Sequence, residues 1–480
     1  MITLPNFASD FETALALEDL SSVPFLGFKK RRGLPVFLQG FLRQIFDYRT
    51  GLILSAPSAE AVRAVRQLTI FFKKVNRRTT VRRQRKAEEQ YVKTEDDLAH
   101  VEERLTSEER QSFSMAFAFL YSDVLSTLNK CVDDMSLEMR HGPGSTADKL
   151  YGNQKFEFPN WTLRLQSVFP YEYYCTHTWI SGQTLRPYLL PVGQEPPVKV
   201  VFVPKTLKTP RVIAMEPVHM QYAQQGIMQK LVPLLKGSRV GASQGFDDQE
   251  VNRAMAREGS ITGDLATIDL SEASDRVLAS LVFEAVSAWP SVHDALWASR
   301  SLRSKLPSGR EITLKKYASM GSALCFPVEV MAFSAIILLG IAKSRNINLS
   351  VAIRLFESGG VRVYGDDIII PVDCVSVCEE LLETYGLRVN RSKSFSTGKF
   401  RESCGGDYFG GTDVTPIKLR LDFPDKRQDA SNIVSLNSTA NQLWREGFDR
   451  AAEYIHMYLE RMLRVYPEVP VGSDIIGRWS

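Results

Sequence analysis

Two adjacent acids, Asp366 and Asp367, interrupt an otherwise strand-forming run, Val361 to Pro371, which reads VRVYGDDIIIP. Both flanks ask for burial, yet carboxylates about 4 Å apart repel by roughly 4 kcal/mol at an effective dielectric near 20. Two arrangements offset that repulsion. Tyr364 and Gly365 can lead into a two-residue hairpin turn with the acids in water at its tip. Alternatively, the carboxylate oxygens hold a hard divalent cation such as Mg²⁺. The run by itself leaves both open, and a third acid bears on the choice. LATIDL (Leu265 to Leu270) reads as a short strand with Leu265, Thr267 and Asp269 on one face. An antiparallel sheet pairing this strand with the hairpin would bring Asp269 and Asp366 together. Carboxylates clustered on two Mg²⁺ ions can activate an attacking hydroxyl and stabilise a leaving pyrophosphate. The plainer role for Asp269 is a turn or helix-capping residue.

The elements that must hold these acids are legible on either side. After Thr262 the pattern alternates strand and helix. Ser274 is placed to cap a helix over DRVLASLVFEAV, whose Leu278, Leu281, Val282 and Ala285 form an apolar stripe. A second helix is expected over roughly Pro327 to Ala342. Its apolar stretch VMAFSAIILLGIA is short for a bilayer and reads as buried. DCVSVCEELLETYG gives a helix with Val375, Cys378, Leu382 and Tyr385 on one face, closed by Gly386. Strands are expected near Leu387 to Asn390 and around Asp407 to Leu419, then a helical tail. Upstream, residues 1 to about 130 read as mostly helical, with one charged helix over TEDDLAHVEERLTSEERQSFSMAFAFLYSDVLSTL. HGPGST is loop chemistry, and PVKVVFVPKTLKTPRVIAMEP reads as two strands around a basic turn.

With 480 residues, 44% of them hydrophobic, the chain can bury a large core in two to four subdomains. The six cysteines form no CxxC pair, which argues against a disulfide framework or zinc site and for a reducing compartment. The N-terminus lacks the basic start and apolar core of a secretory signal. Net charge is only +4, but Lys29 to Lys86 holds sixteen Lys or Arg against two acids. That density, concentrated in KKRR and KKVNRRTTVRRQRK, favours a polyanion partner, nucleic acid first.

TIDLSEASD, YASMGSALCFPVE, VYGDDIIIP, LRVNRSKSF and FRESCGGDYFGG occur in that order. They resemble palm motifs A to E of template-dependent RNA polymerases. With HGPGST and PKTLKTPRVIAMEP upstream, the wording from about Arg140 to Arg420 resembles the replicase catalytic subunit of the single-stranded RNA bacteriophages, the leviviruses. The resemblance implies an α+β, right-hand polymerase fold with an antiparallel palm sheet packed on helices. Residues 1–262 would be fingers, with basic segment 29–86 and triphosphate-clamp strands 198–216. Residues 263–420 would be palm, part of 286–318 returning to the fingers, and 421–480 a thumb.

Position by position, the resemblance makes Asp269 and Asp366 metal-binding and catalytic, with Asp367 a third contributor, and Gly365 the residue that permits the tight turn. Asp275 would face the ribose, where a hydrogen bond to the 2′-hydroxyl separates ribo- from deoxyribonucleotides; a first-turn acid favoured by the helix dipole is the plainer role. Lys205, Lys208 and Arg211 would clamp the incoming triphosphate. Lys393 matches a motif D lysine that would protonate the leaving pyrophosphate. Gly321 and Ser322 would form a flexible loop reaching the ribose and the templating nucleotide. Here the chain departs from the family it resembles, whose familiar members have Asn-Gly-Tyr-Thr where this one has Ser322-Ala323-Leu324-Cys325; Glu329 matches. The implied reaction is RNA-templated nucleotidyl transfer from NTPs with two Mg²⁺, or Mn²⁺ in their place. The implied partners are single-stranded RNA template and product, with host elongation factors Tu and Ts and a small-subunit ribosomal protein, in the cytoplasm of an infected bacterium and with no membrane. A reverse transcriptase shares the palm and the paired aspartates, and a non-catalytic RNA-binding protein could be built on one.

Overall fold

In the computed structural model, residues 3–76, 79–175, 187–204 and 209–480 are described, and they form a mixed helix-and-sheet fold. Helices α1 (Thr3–Leu17), α2 (Ala59–Ile70), α3 (Val81–Arg104) and α4 (Ser107–Asp133) dominate the N-terminal part, as its composition suggests. The charged run expected as one helix is two, α3 and α4. The break follows from a capping box: Thr106 Oγ1 accepts from the Glu109 N–H at 3.2 Å, and the Glu109 carboxylate accepts from the Thr106 N–H at 2.8 Å.

Further along lie β1 (Val198–Pro204), β2 (Pro210–Met215), α5 (Val218–Lys236), α6 (Glu250–Thr262), β3 (Leu265–Asp269) and α7 (Ala279–Ala285). They are followed by β4 (Arg303–Lys305), β5 (Glu311–Thr313), α8 (Cys325–Ser344), β6 (Arg362–Tyr364), β7 (Asp367–Pro371) and α9 (Val375–Thr384). The expected strand pair is β1 with β2, and β4 and β5 extend it to a four-stranded sheet in the order β2-β1-β4-β5. The basic turn expected between β1 and β2, with Lys205 and Lys208, falls on residues 205–208, which lie outside the described residues.

The sheet that carries the acids is β6-β7-β3, antiparallel throughout. Side chains alternate along it. Ala266, Ile268, Ile368 and Ile370 point into the main core, where α8 lies, while Ile369 packs on the opposite face with Ala256 of α6 and Tyr408. The segment expected as a strand near Leu387 to Asn390 adds only an isolated bridge, Leu270 to Val389. α8 is 20 residues long, longer than the sequence pattern suggested and long enough to cross a bilayer, but 89% of its apolar window is buried in the protein. Gly386 follows α9 in the left-handed conformation expected of it (φ +93°).

Two sequence expectations about caps separate here. Ser274 does not cap a helix, because Leu278 bridges to Lys316 and Val277 accepts from the Tyr317 N–H. This pairing holds the chain extended, so α7 starts only at Ala279. The Ser274 hydroxyl instead donates to Glu329 at 3.2 Å.

Strands β8 (Phe400–Ser403), β9 (Gly406–Phe409) and β10 (Thr412–Asp413) form an antiparallel meander, and α10 (Ala430–Arg445) and α11 (Asp449–Met462) give the expected helical tail. A second core joins α1 and α2 to Phe395, Phe400, Phe409 and Val414. Below it Arg66, fully buried, bonds Glu12 and Asp407, each at 2.5 Å. A third core sets α10 and α11 against Val75, Ile417 and Leu419. All six cysteines are free thiols.

Candidate active site

The hairpin between β6 and β7 places Asp366 at its exposed tip and Asp367 as the first residue of β7. The turn requires Gly365 twice over: φ is +57°, and a Cβ would lie 2.6 Å from the Phe326 ring of α8. Tyr364 is fixed beside it, its hydroxyl donating to the Phe246 carbonyl at 3.2 Å and its ring edge-on to Phe326. Asp367 stands in register opposite Asp269, and the Leu270 N–H donates to the Asp366 carbonyl at 3.2 Å. The sheet thus brings the three acids to one end, as the spacing predicts.

Each carboxylate has its own neighbours. Asp269 accepts from Asn390 Nδ2 at 2.7 Å and lies 3.8 Å from Lys393 Nζ. Asp367 accepts from the Cys404 N–H at 3.1 Å and from Ser403 Oγ at 3.3 Å. Burial pushes Asp269 up to about 6, with Asp366 and Glu402 adding and Lys393 and Asn390 opposing. Burial likewise pushes Asp367 up to about 6, opposed by the Cys404 N–H and reinforced by Asp366 and Asp269. Glu329, buried inside α8, rises to about 8 through burial and then the Asp366 charge. Four acids therefore compete for too little positive charge.

Hard carboxylate oxygens, partly desolvated and mutually repelling, are the donor chemistry a divalent cation takes. Among the described residues no three His, Cys, Asp or Glu side chains converge into a ready-made cage. Asp269 leans on Asn390 and Lys393 and Asp367 on Cys404 and Ser403, which is how like charges are kept apart.

Lys393 is the predicted cation brought into the cluster. Burial works against its charge, but Glu402 at 3.3 Å and Asp269 hold it above the ordinary lysine range. Asp275 lies in a short 3₁₀ turn after β3, not in a helix's first turn, and its carboxylate meets Lys316 Nζ at 2.9 Å.

Gly321 packs tightly, contrary to a free loop. Its φ is +136°, a Cβ would stand 2.0 Å from the Ala214 carbonyl oxygen of β2, and the Ala214 N–H donates to Met320 at 2.8 Å. Ser322 turns its hydroxyl back to accept from the Leu324 N–H at 3.3 Å. Arg211 is exposed on β2, three residues from Ala214, and the structure does not join it to the acids.

Sequence reading missed Asn390, Glu402 and Lys316. Asn390 stands at the end of LRVN, directly after an apolar alternation that had to pass the acids. Lys316 was hidden because a lysine signals solvent until its buried partners are seen. Also missed was a basic cleft: grooves of about 800 and 610 Å³ meet along Lys74, Lys418 and Arg420 and share Gln442 of α10. Burial, then Lys418, Arg420 and Lys393, depress the Lys74 ammonium.

The family described as "RNA replicase, beta-chain" matches residues 188–436. The chain is 36% identical over 282 residues to the RNA-directed RNA polymerase subunit beta of Qbeta virus (strain MX1), covering 58% of this chain and 44% of that protein. It is 32% identical over 349 residues to the RNA-directed RNA polymerase beta chain of Escherichia phage MS2, covering 64% and 61%. The matched stretch thus spans about half the length of these curated relatives. Among solved structures, the RNA-dependent RNA polymerase of a human picorbirnavirus, as an insertion-loop deletion mutant, overlays at a TM-score of 0.39 with 13% identity over 56% of this chain and 58% of that one. A BmCPV RNA-dependent RNA polymerase at elongation state overlays at 0.43 with 12% identity, over 69% and 31%. The family match takes in β1, β2, all three strands of the acidic sheet and the start of α10, and on that ground the chain belongs to the RNA replicase beta-chain family.

Proposed function

We propose that this protein is an RNA-directed RNA polymerase that copies a single-stranded RNA phage genome. The observation that carries the reading is the register of Asp269 opposite Asp367, with Asp366 exposed at the adjoining tip. In this reading β6-β7-β3 is the palm sheet of a right-hand polymerase, residues 263–420 are the palm, 1–262 the fingers and 421–480 the thumb. Asp269 and Asp366, with Asp367 beside them, would hold Mg²⁺, whose chemistry is to activate a 3′-hydroxyl and neutralise the leaving pyrophosphate.

The chain's own residues then have separable roles. Asn390 orients Asp269 through its amide. Lys393, held charged between Glu402 and Asp269, keeps a proton within reach of a leaving group. Asp275 accepts from the ribose 2′-hydroxyl, and Arg211, with Lys205 and Lys208, meets the triphosphate. The cleft of Lys74, Lys418 and Arg420 continues the basic segment 29–86 and suits an RNA backbone. Host elongation factors and a ribosomal protein belong to this reading as partners.

The test is incorporation of labelled NTPs on a single-stranded RNA template by purified protein, with Mg²⁺, with and without bacterial extract. Template-dependent product is expected from NTPs. Product from dNTPs alone would indicate a reverse transcriptase, and RNA binding without product under either condition a non-catalytic protein.

A further inference from the structure

Lys316 is a fully buried cation, with a side chain 0% exposed. Burying an ammonium costs several kcal/mol unless it is closely paired. Here the pairing is threefold: Nζ lies 2.9 Å from Asp275 Oδ1, 3.0 Å from Glu95 Oε1 and 3.5 Å from the centroid of the Tyr91 ring. Glu95 is itself fixed, its other oxygen accepting from the Lys315 and Lys316 N–H groups at 2.6 and 3.3 Å. Tyr91 is fixed too, its hydroxyl sharing hydrogen bonds with Ser319 at 3.0 Å and Ser304 at 3.3 Å.

The consequence falls on Asp275. One of its oxygens is held by a cation that solvent cannot reach. Among the described residues the other oxygen accepts no hydrogen bond, and the side chain is 18% exposed. The loop opening α8 does not share this work: Ser322 Oγ accepts from Leu324, and Cys325 Sγ donates to the Ser274 carbonyl. A carboxylate anchored on one side and open on the other is a rigid, acceptor-only group, suited to receive one hydroxyl in one place.

We propose that Lys316 is a positioning residue that fixes Asp275 for the ribose and so sets the preference for ribo- over deoxyribonucleotides. The inference rests on the reading above, in which Asp275 meets the 2′-hydroxyl. A site built around a buried acceptor rejects an analogue lacking the donor far better than an apolar pocket does, provided the acceptor cannot swing away.

The experiment compares kcat/KM for ATP and dATP incorporation by the full chain on a primed RNA template. Should the purified chain not turn over alone, the ratio of dATP to ATP dissociation constants for the RNA-bound protein, which also falls as selectivity is lost, replaces it. Lys316→Met is expected to lower the ratio about ten- to a hundredfold, chiefly by improving relative use of dATP. Lys316→Arg should keep it within about threefold, and Asp275→Ala should lower it as far as Lys316→Met does. The two losses should not add when combined. If Lys316→Met fails to fold, Lys316→Met with Glu95→Gln removes the buried acid as well and takes its place.

A wild-type ratio near one, or an Asp275→Ala variant that keeps the wild-type ratio, would overturn the ribose reading of Asp275. A ratio lowered by Asp275→Ala but untouched by removal of Lys316 would overturn the role of Lys316 alone. Equal loss on ATP and dATP would do the same, marking the lysine as merely structural.

Discussion

Asp269 and Asp367 are direct cross-strand partners, two acids facing each other on one side of an antiparallel pair. Like charges in that relation destabilise a sheet, and both groups are further strained by burial. The strand pair is therefore under tension that a bound cation would relieve.

That tension has a measurable sign. Mg²⁺ should raise the thermal unfolding midpoint, by about 2.7 kcal/mol of stabilisation at a hundredfold excess over its dissociation constant. EDTA should reverse the gain. Asp269→Asn should be more stable than wild type without metal and should no longer respond to it; an unchanged Mg²⁺ response would remove Asp269 from the site.

The three acids should not be equivalent in catalysis. Asp366 is exposed at the tip, whereas Asp367 is occupied by the Cys404 N–H and Ser403 Oγ. Asp366→Asn should cut single-turnover NTP incorporation at least about a thousandfold while the protein stays folded, and Asp367→Asn should cost about ten- to a hundredfold. Equal losses would contradict the division of roles.

Glu216 offers a pH test away from the acids. It is fully buried, takes a hydrogen bond from Ser301 at 2.5 Å, and burial raises it to about 7. A raised carboxyl favours the folded state below its unfolded value near 4.5, and that contribution is lost as pH rises through about 7. Glu216→Gln, which cannot ionise, should gain on wild type between pH 5 and 8 by up to roughly 3 kcal/mol. Thermal midpoints that run parallel across that range would refute the assignment.

Arg66 links α2 to α1 and to β9 through Glu12 and Asp407. Arg66→Met leaves two buried acids unpaired and should lower stability by about 3–5 kcal/mol, read as a fall in the urea midpoint. Adding Glu12→Gln and Asp407→Asn should restore most of it. A single variant as stable as wild type would show that the triad contributes little.

Much of the candidate site was legible because its signals are local. Gly365 and the paired acids declare a turn, and the alternation in LATIDL puts Asp269 on a definite face, so one pairing suffices to bring them together. What escaped were contacts made across long sequence separations. Asn390, Glu402 and Lys316 acquire meaning only when the sheet, the 400–409 hairpin and α3 converge, and nothing in their immediate neighbours announces it. The delayed start of α7 is a further instance: Ser274 has the chemistry of a cap, but the pairing of Leu278 with Lys316 holds the chain extended past it. The split between α3 and α4 was readable in Thr106-Ser-Glu-Glu109, where local chemistry outweighed an unbroken charged pattern.

Gly321 rests on the Ala214 carbonyl with no room for even a methyl group between them. The loop that opens α8 and the strand that carries Arg211 thus form one stiff layer, tied by the Ala214 N–H to Met320. In the proposed reading, one surface of that layer faces the templating nucleotide and another the phosphates. A nucleotide misplaced at either end would tilt the whole layer, so template and phosphate would be judged together, as a single fit.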